Sequence, residues 1–417
     1  MRFLYSALLY LLIPLAVVRL AWRGLRNRGY WRGFGERFGF APRQSGPVIW
    51  IHAVSVGEVR AAAPLVQALR QAYPDRILIT TMTPTGSATV RQLFGSTVAH
   101  CFVPYDLPDA VRRFLGRTRP RLALIMETEL WPNLFHACRA RAIPLLLANV
   151  RLSEKSARGY TRFAQLTRST LGCITLAGAQ SVADASRLRQ LGASAAEVTG
   201  SIKFELSVPG DLDARAAVLR RGFGDRPVWV AASTRDGEEW HVLDAFAVLR
   251  ERYPSLLLVL VPRHPERFDA VARQCQQRAW AVERRSVPAA TVKPETAILL
   301  GDTLGELLIF YAAADVAYIG GSLVPLGGQN LLESLAVGTP VVFGPHMYNF
   351  SEISRLCLER GAGLQVQDSG SLATAVDGFL GNPSRRTQAG LAGRTMVEEN
   401  RGALQKTLAL VRQVMPG

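Results

Sequence analysis

A chain of 417 residues is long for one hydrophobic core and indicates two domains of ordinary size. Its content of 48% hydrophobic and 20% charged residues is typical of a globular protein and excludes a low-complexity or collagen-like chain. The net charge of +16, carried almost entirely by arginine, favours anionic partners. No helix-turn-helix, zinc-finger or RNP pattern accompanies this charge, so we expect no nucleic-acid partner.

The cysteines and histidines give no sign of a metal site. The five cysteines are scattered, with no CxxC pair, which indicates a reducing compartment and no structural zinc. The six histidines are equally dispersed and form no HExxH motif. We therefore expect no metal and no cofactor. Nothing in the composition indicates an oligomeric state.

The N-terminus predicts a membrane anchor over residues 1–26. Residues 3–18 are almost wholly apolar, and the run reaches Trp22 if Arg19 snorkels, so it is borderline long enough to span a bilayer. The segment 19–43 that follows is strongly basic and contains one acidic residue, Glu36. Its arginines are Arg19, Arg23, Arg26, Arg28, Arg32, Arg37 and Arg43. This charge places the rest of the chain on the cytoplasmic side of a membrane, against anionic lipid. Whether the helix spans the bilayer or lies in its interface stays open.

Short apolar strands alternate with helical segments after the anchor, which predicts a doubly wound, mostly parallel sheet. In the N-terminal domain, expected over 27–208, we predict strands at 48–51, 77–80, 97–103, 122–126 and 144–149. Helices are expected at 59–72, 87–93, 110–115 and 132–141. The stretch 150–205 continues the pattern less cleanly, and a Pro/Gly-rich linker follows near 208–212.

The C-terminal domain, expected over 209–417, repeats this alternation. Its predicted strands are 228–232, 256–261, 296–300, 315–319 and 341–343, with helices at 238–252, 266–278 and 305–314. The last helix, 405–414, is a candidate to pack back on the N-terminal domain. The predicted fold class is therefore α/β, with two Rossmann-like domains facing a cleft and preceded by the anchor helix.

The most informative segment is the glycine-rich loop after the strand at 315–319. Two glycine pairs (320–321 and 327–328) precede a helix predicted to open near Gln329. Glycines allow close backbone approach, and a helix N-terminus attracts an anion. Glu333, one turn into that helix, could accept two vicinal sugar hydroxyls. The pattern predicts a nucleotide site, and an ordinary Rossmann strand–loop–helix is the alternative.

Candidate catalytic side chains follow strands of the N-terminal domain. Glu58 comes at the tip of the first strand, beside Ser55 and Gly57, where a carboxylate can act as general base or compensate the helix dipole. Glu127 and Glu129 follow the strand 122–126, and either carboxylate could be the functional one. We favour Glu127, because it continues the strand most directly.

Further polar residues follow other strands. Asn149, Arg151 and Ser153 end the strand at 144–149, although ordinary turn chemistry explains Asn149 equally well. Lys203 lies beside the predicted linker and is notable because the chain has only four lysines. An ammonium there could stabilise a departing phosphate or a substrate carboxylate, although chance placement explains it equally well.

Three segments of the C-terminal domain converge on the carboxyl edge of its predicted sheet. Ser233-Thr234-Arg235 follows one strand, Pro262-Arg263-His264 another, and Gly301 to Glu306 a third. Arg263 is suited to a phosphate or carboxylate, and the helix start at Leu304-Gly305-Glu306 could contact a base. Together with the glycine-rich loop, these segments predict one ligand site.

These residues resemble the motifs of the Kdo (3-deoxy-D-manno-octulosonic acid) transferases, GT-B glycosyltransferases of lipopolysaccharide core assembly. The likeness covers essentially the whole chain, including the anchor, and is specific when its motifs are taken together. The motifs are Ser55–Glu58, Met82–Gly86, Pro104–Pro108, Met126–Asn133, Ser201–Phe204, Pro262–Pro265 and Asn330–Glu333.

The resemblance implies an inverting transfer of Kdo from CMP-Kdo to the lipid A precursor lipid IVA. It implies that Glu58 is the base, and that Glu127 and Lys203 stabilise the transition state. The CMP moiety would be contacted by Pro262, Arg263, Leu304, Gly305, Glu306, Asn330, Leu331, Leu332 and Glu333. The number of Kdo residues added is not indicated.

Two other classes share part of the pattern. A heptosyltransferase or a UDP-sugar 2-epimerase would have the same architecture and the same glycine-rich loop. A basic membrane adaptor would use the N-terminal arginines but would have no need of carboxylates at the strand ends.

Overall fold

The computed structural model describes residues 1–26, 28–206, 208–287 and 292–415. Asn27, where the predicted N-terminal domain begins, and the last two residues lie outside this description. The chain divides into two compact units. The first contains residues 1–205 and 401–417, and the second contains residues 206–400. Residues 401–417 therefore belong with the first unit.

The first unit begins with helix α1 (Arg2–Arg26) and is built on one parallel sheet. Its strands lie in the order β3-β2-β1-β4-β5-β6-β7. They are β1 (Val48–His52), β2 (Arg76–Thr81), β3 (Ala99–Phe102), β4 (Pro120–Met126), β5 (Leu145–Val150), β6 (Leu176–Ala179) and β7 (Ala196–Val198). The helices are α2 (Val56–Ala72), α3 (Pro84–Phe94), α4 (Pro108–Thr118), α5 (Pro132–Ala140), α6 (Glu154–Thr161), α7 (Ala164–Leu171) and α8 (Val182–Leu191).

The second unit repeats this architecture with the parallel order β10-β11-β9-β8-β12-β13-β14. Its strands are β8 (Val228–Thr234), β9 (Leu257–Pro262), β10 (Val282–Arg284), β11 (Ile298–Leu300), β12 (Val316–Ile319), β13 (Val341–Phe343) and β14 (Gly363–Gln365). Its helices are α9 (Leu212–Phe223), α10 (Glu238–Arg252), α11 (Phe268–Gln277), α12 (Leu307–Ala313), α13 (Leu332–Ala336), α14 (Ser351–Glu359), α15 (Ser369–Leu380) and α16 (Pro383–Glu399). The last helix of the chain, α17 (Ala403–Val414), belongs to the first unit.

The cores lie on the faces of these sheets. In β1, Val48 and Trp50 face one apolar cluster, whereas Ile49 and Ile51 face another. This alternation follows from the twofold repeat of a strand, and helices cover both faces, so the strand is apolar throughout. Two parallel, doubly wound sheets confirm the predicted α/β class.

Helix α17 packs on the first unit through specific contacts. The Leu404 N–H donates to a Glu205 carboxylate oxygen at 3.0 Å, and the Tyr73 hydroxyl donates to the Met415 carbonyl at 3.2 Å. Leu408 and Val411 are buried in the same apolar cluster as β1. The C-terminal segment therefore completes the core of the N-terminal sheet.

Helix α1 contains a stretch, Arg2–Leu25, that is long and apolar enough to cross a membrane, with a mean hydropathy of 2.0. That hydropathy belongs to an 18-residue window of the stretch, and only 6% of the window is buried in the structure. Its composition and exposure indicate membrane association.

The close packing of α16 on the Gly338–Pro340 turn gives a stability prediction. A Cβ atom on Gly390 of α16 would lie 2.1 Å from the Gly338 carbonyl oxygen, far inside van der Waals contact. We expect Gly390→Ala to lower the free energy of unfolding of the second unit by roughly 1–3 kcal/mol, because overpacking forces the helix away. Chemical denaturation measures this loss.

The matched control is Gly370→Ala in the first turn of α15, where the nearest atom would lie at 3.7 Å. That variant should be as stable as the wild type, or more stable by up to ~1 kcal/mol, because alanine restricts the unfolded chain. Equal stability of the two variants would contradict the packing seen here.

Candidate active site

Glu58 lies in the first turn of α2, immediately after the loop that ends β1. Ser55 is the N-cap residue, and its hydroxyl oxygen accepts the Glu58 N–H at 3.3 Å. The Glu58 carboxylate accepts the Ser55 hydroxyl at 3.0 Å and the Val54 N–H at 2.8 Å. Its side chain is therefore held in one position by a reciprocal capping arrangement.

The environment of Glu58 raises its pKa. The residue is 8% exposed, and burial is the largest cause of a pKa raised to about 7. The Glu127 and Glu129 carboxylates raise the pKa further, while hydrogen bonds from Val54 and Ser55 lower it. A carboxyl group that ionises near neutral pH suits general base catalysis.

Glu127 lies directly after β4 and has a positive φ of 58°, which is rare for a residue with a side chain. Its N–H donates to the Ala148 carbonyl at 2.8 Å. Its carboxylate lies 3.7 Å from the Lys203 ammonium, and both side chains are partly exposed. The structure therefore brings together two of the predicted site residues.

Glu129 has a different partner. Its carboxylate accepts the Trp131 indole N–H at 3.1 Å. Burial raises the pKa of Glu129, the Trp131 hydrogen bond lowers it, and the Glu127 charge raises it. The geometry thus pairs Glu127 with the lysine and Glu129 with a structural tryptophan.

Asn149 has a positioning role that the sequence left undecided. It is fully buried at the end of β5, with a φ of 59°. Its side-chain oxygen accepts the Ile202 N–H at 3.1 Å, and its carbonyl accepts the Gln180 side-chain amide at 2.9 Å. Because Ile202 begins the short 3-10 helix Ile202–Phe204, Asn149 orients the segment that carries Lys203.

The predicted segments of the second unit follow four strands that are neighbours in the order β11-β9-β8-β12. Because the strands are parallel, their carboxyl ends meet at one edge of the sheet. The approach is close: a Cβ on Gly320 would lie 2.4 Å from the Ser233 carbonyl oxygen. Only glycine fits between the ends of β8 and β12.

Glu238 changes the interpretation of the glycine-rich loop. Its fully buried carboxylate accepts the N–H groups of Gly321, Ser322 and Leu323 at 2.5, 2.9 and 3.0 Å. It also accepts the Arg235 N–H at 2.9 Å and the Tyr318 hydroxyl at 2.7 Å. These backbone donors therefore hold an internal carboxylate, and they are not directed at a ligand phosphate.

The helix after this loop begins later than the sequence predicts. α13 starts at Leu332, not near Gln329, and is five residues long. The Asn330 side-chain oxygen accepts the Leu332 N–H at 3.1 Å, and its amide donates to a Glu333 carboxylate oxygen at 3.0 Å. Leu331 and Leu332 are fully buried in the core. Glu333 therefore lies in the first turn of the helix.

Basic side chains line the ends of β8 and β9. Arg263 follows Pro262 directly, its N–H donates to the Thr234 carbonyl at 3.0 Å, and its guanidinium donates to the Gln329 side chain at 3.3 Å. The Arg235 guanidinium hydrogen-bonds the His264 ring. Burial and, after it, the Arg235 charge lower the pKa of His264. This cationic edge can attract a phosphate.

The segment after β11 is arranged around an ion pair. The Glu306 carboxylate accepts two hydrogen bonds from the Arg285 guanidinium, at 2.9 and 3.1 Å, and one from the Thr303 hydroxyl at 2.5 Å. The Arg285 hydrogen bonds are the main cause of the lowered pKa of Glu306. Gly305 has a φ of 83°, and Leu304 is 79% exposed. The exposed backbone here is open to a ligand.

A metal-binding cluster is not present among the residues that the structure describes: no group of three or more His, Cys, Asp or Glu side chains could hold an ion. The five cysteines are buried and unpaired.

A family model described as 3-deoxy-D-manno-octulosonic-acid transferase matches residues 32–206. The chain is 41% identical to the 3-deoxy-D-manno-octulosonic acid transferase of Haemophilus influenzae, over 99% of this chain and 98% of that protein. It is also 41% identical to the protein of that name from Bordetella pertussis, over 98% of each chain.

Among solved structures, a putative UDP-N-acetylglucosamine 2-epimerase from Listeria monocytogenes matches with a TM-score of 0.52. The match covers 88% of this chain and 96% of the epimerase chain, at 13% sequence identity. Because the identity is so low, this likeness shows the GT-B fold alone. The sequence relatives show more, because their identity extends over nearly the whole length of both proteins. The chain belongs to the 3-deoxy-D-manno-octulosonic acid transferase family.

Proposed function

We propose that this protein transfers Kdo from CMP-Kdo to the lipid A precursor lipid IVA at the cytoplasmic face of the inner membrane, in lipopolysaccharide core biosynthesis. The transferase activity rests on family membership. The motifs of the chain, which resemble those of the family, support the donor. The exposed apolar helix α1 supports a lipid acceptor at a membrane.

The observation that carries the mechanism is the buried Glu58, with its pKa raised to about 7. As the acceptor hydroxyl attacks C2 of the sugar, its proton passes to Glu58 and a new C2–O bond forms. The bond between C2 and the phosphate oxygen breaks on the opposite face, and its electron pair leaves with CMP. The anomeric configuration is therefore inverted.

The remaining residues stabilise charge. Positive charge develops on the sugar ring as the bond to phosphate breaks, and the Glu127 carboxylate can stabilise it. The ammonium of Lys203, 3.7 Å from Glu127, would stabilise the sugar carboxylate or the departing phosphate. Arg263 and the neighbouring cations would hold the phosphate, in a transfer that we propose needs no metal.

The nucleoside part of the donor would lie along the carboxyl edge of the second sheet. We propose that Glu333 accepts the ribose hydroxyls, with Asn330 holding its carboxylate. Leu331 and Leu332 can contribute only backbone groups, because their side chains are buried. The exposed turn at Leu304-Gly305, followed by Glu306, would contact the base.

Detection of the glycosylated lipid product tests the proposed Kdo transfer directly. Incubation with CMP-Kdo and tetra-acylated lipid IVA should give a product heavier by one or more Kdo residues, detected by mass spectrometry. UDP- and ADP-sugars should give no product. Transfer from either of these donors, with none from CMP-Kdo, would overturn the proposal in favour of another GT-B activity.

The pH dependence of kcat/KM for the transfer reaction tests the role of Glu58 as the base. Because the base must be ionised, and its pKa is raised to about 7, kcat/KM should increase about tenfold per pH unit below that value and level off above it. Ser55→Ala removes a hydrogen bond that lowers this pKa, so it should move the acid limb to higher pH.

Glu58→Gln is the control for this profile. The amide retains the size of the side chain but cannot take a proton, so transfer should decrease by roughly 10²–10⁴-fold and the acid limb should vanish. Binding of CMP, measured by calorimetry, should be unchanged. Near-normal turnover by Glu58→Gln would show that another group is the base.

Glu333→Ala tests the donor site. Loss of the hydrogen bonds to the ribose should weaken CMP binding by about tenfold or more, as measured by calorimetry. The matched control is Glu359→Ala on α14, an exposed carboxylate that pairs with Arg355 and should leave the affinity unchanged. An unaltered affinity of Glu333→Ala would remove this residue from the nucleotide site.

A further inference from the structure

An apolar groove of about 390 Å³ lies on the first unit between α1 and the pair α6–α7. Its volume falls within the range of roughly 300–1,000 Å³ that is usual for small-molecule sites. Its walls carry apolar and aromatic side chains: Leu4 and Leu8 from α1, Leu130 and Pro132 around the start of α5, Tyr160 from α6, and Phe163 and Leu166 from the N-cap and first turn of α7. The groove therefore suits a hydrocarbon ligand.

Polar contacts hold the α1 wall in place. The Tyr5 hydroxyl donates to Asp106 at 3.0 Å, and the Tyr10 hydroxyl donates to Asp109 at 2.6 Å. The Ser6 hydroxyl and the Asn133 side chain are hydrogen-bonded at 3.0–3.1 Å. One face of α1 is thus attached to α4 and α5, and its other face is left exposed.

The groove is continuous with this exposed face. Leu4 and Leu8 line the groove, yet they remain 64% and 54% exposed. They belong to the same apolar surface as Leu11, Leu15 and Val18, in a helix apolar enough to cross a membrane. A lipid chain at the membrane surface can therefore enter the groove without crossing water.

The charge beside the groove fits an acidic lipid. Lys155 and Arg158 on α6, together with Arg162 immediately before Phe163, are exposed cations. The exposed carboxylate in this helix, Glu154, lies 3.9 Å from Arg158. The excess of positive charge would attract the phosphates of an anionic glycolipid.

The inner wall of the groove belongs to the segment after β4, which also carries Glu127 and Glu129. Leu130 and Pro132 flank Trp131, whose indole donates to Glu129 and whose ring packs edge-on against His52 at 5.7 Å. A ligand chain in the groove is therefore in contact with the loop that follows Glu127. This links the apolar groove to the acceptor side of the reaction.

We propose that the groove binds an acyl chain of the acceptor glycolipid and so selects acylated acceptors. The inference rests on the proposed function, because the acceptor is taken to be an acidic lipid. Each methylene removed from water strengthens binding by roughly fourfold, so even a short stretch of acyl chain would dominate acceptor affinity.

Leu166→Trp tests the groove by filling it. We expect the KM for tetra-acylated lipid IVA in detergent micelles to increase by tenfold or more. The kcat/KM for the same disaccharide after complete chemical deacylation should remain that of the wild type. The matched control is Leu93→Trp on α3, an exposed leucine away from the groove, which should change neither value.

An equal loss with both acceptors, or no change with either, would overturn the proposal. So would a variant whose only defect is weaker binding to phospholipid vesicles, since the groove would then hold a membrane lipid and not the acceptor.

A binding measurement separates this inference from the proposed function. Lipid IVA with a photoreactive diazirine in one acyl chain, irradiated with the wild-type protein without donor, should label peptides containing Leu130, Phe163 or Leu166. Labelling elsewhere would overturn the groove assignment. Failure of the wild type to transfer Kdo to either acceptor would refute the proposed function while leaving this labelling result interpretable.

Discussion

Buried carboxylates that accept backbone N–H groups organise the strand-end loops of this protein. Glu58 accepts from Val54, Asp184 from Leu152, and Asp106 from the first two amides after Pro132. Glu238 accepts from four amides in two loops. Each carboxylate is largely shielded from water, so these donors replace its lost hydration, and each loop is thereby held in one conformation. The positions of the side chains that follow the strands therefore depend on these carboxylate–backbone hydrogen bonds.

Burial, hydrogen-bond donors and neighbouring charges together set the acidity of these carboxylates. Burial raises the pKa of both Glu58 and Asp106. Asp106 receives two backbone N–H groups and a tyrosine hydroxyl, and its pKa reaches about 6. Glu58 receives one backbone N–H and a serine hydroxyl, lies near two other carboxylates, and reaches about 7. Burial and, after it, the neighbouring carboxylates thus give Glu58, in the first turn of α2, a pKa suited to the proton acceptor proposed above.

The sequence predicted the strands that carry long apolar runs, and it located Glu58 and Glu127 at strand ends and Lys203 beside the linker between the two domains. It gave no bounds for the short strands β6 and β7 within 150–205. It missed β10 and β14, because these three-residue edge strands are partly exposed and have no apolar run. It also expected the backbone of the glycine-rich loop to lie against a ligand, and it did not foresee the internal carboxylate that this loop holds. A contact between Glu238 and residues 321–323 spans more than eighty positions, so local spacing could not reveal it. Asn149 was undecided for the same reason, since its partner Ile202 is distant in sequence.

Glu127, Asn149 and Ser233 all hold their backbones at φ values between 57° and 59°, at the carboxyl ends of β4, β5 and β8. Glycine would adopt this geometry without strain, but it would delete the side chain that each position supplies. Glycine at Glu127 or Asn149 would therefore remove the ion pair with Lys203 or the hydrogen bond to Ile202. Efforts to raise the heat resistance of this protein by relaxing its backbone should leave these two positions unchanged, because the lost contacts would offset the relieved strain.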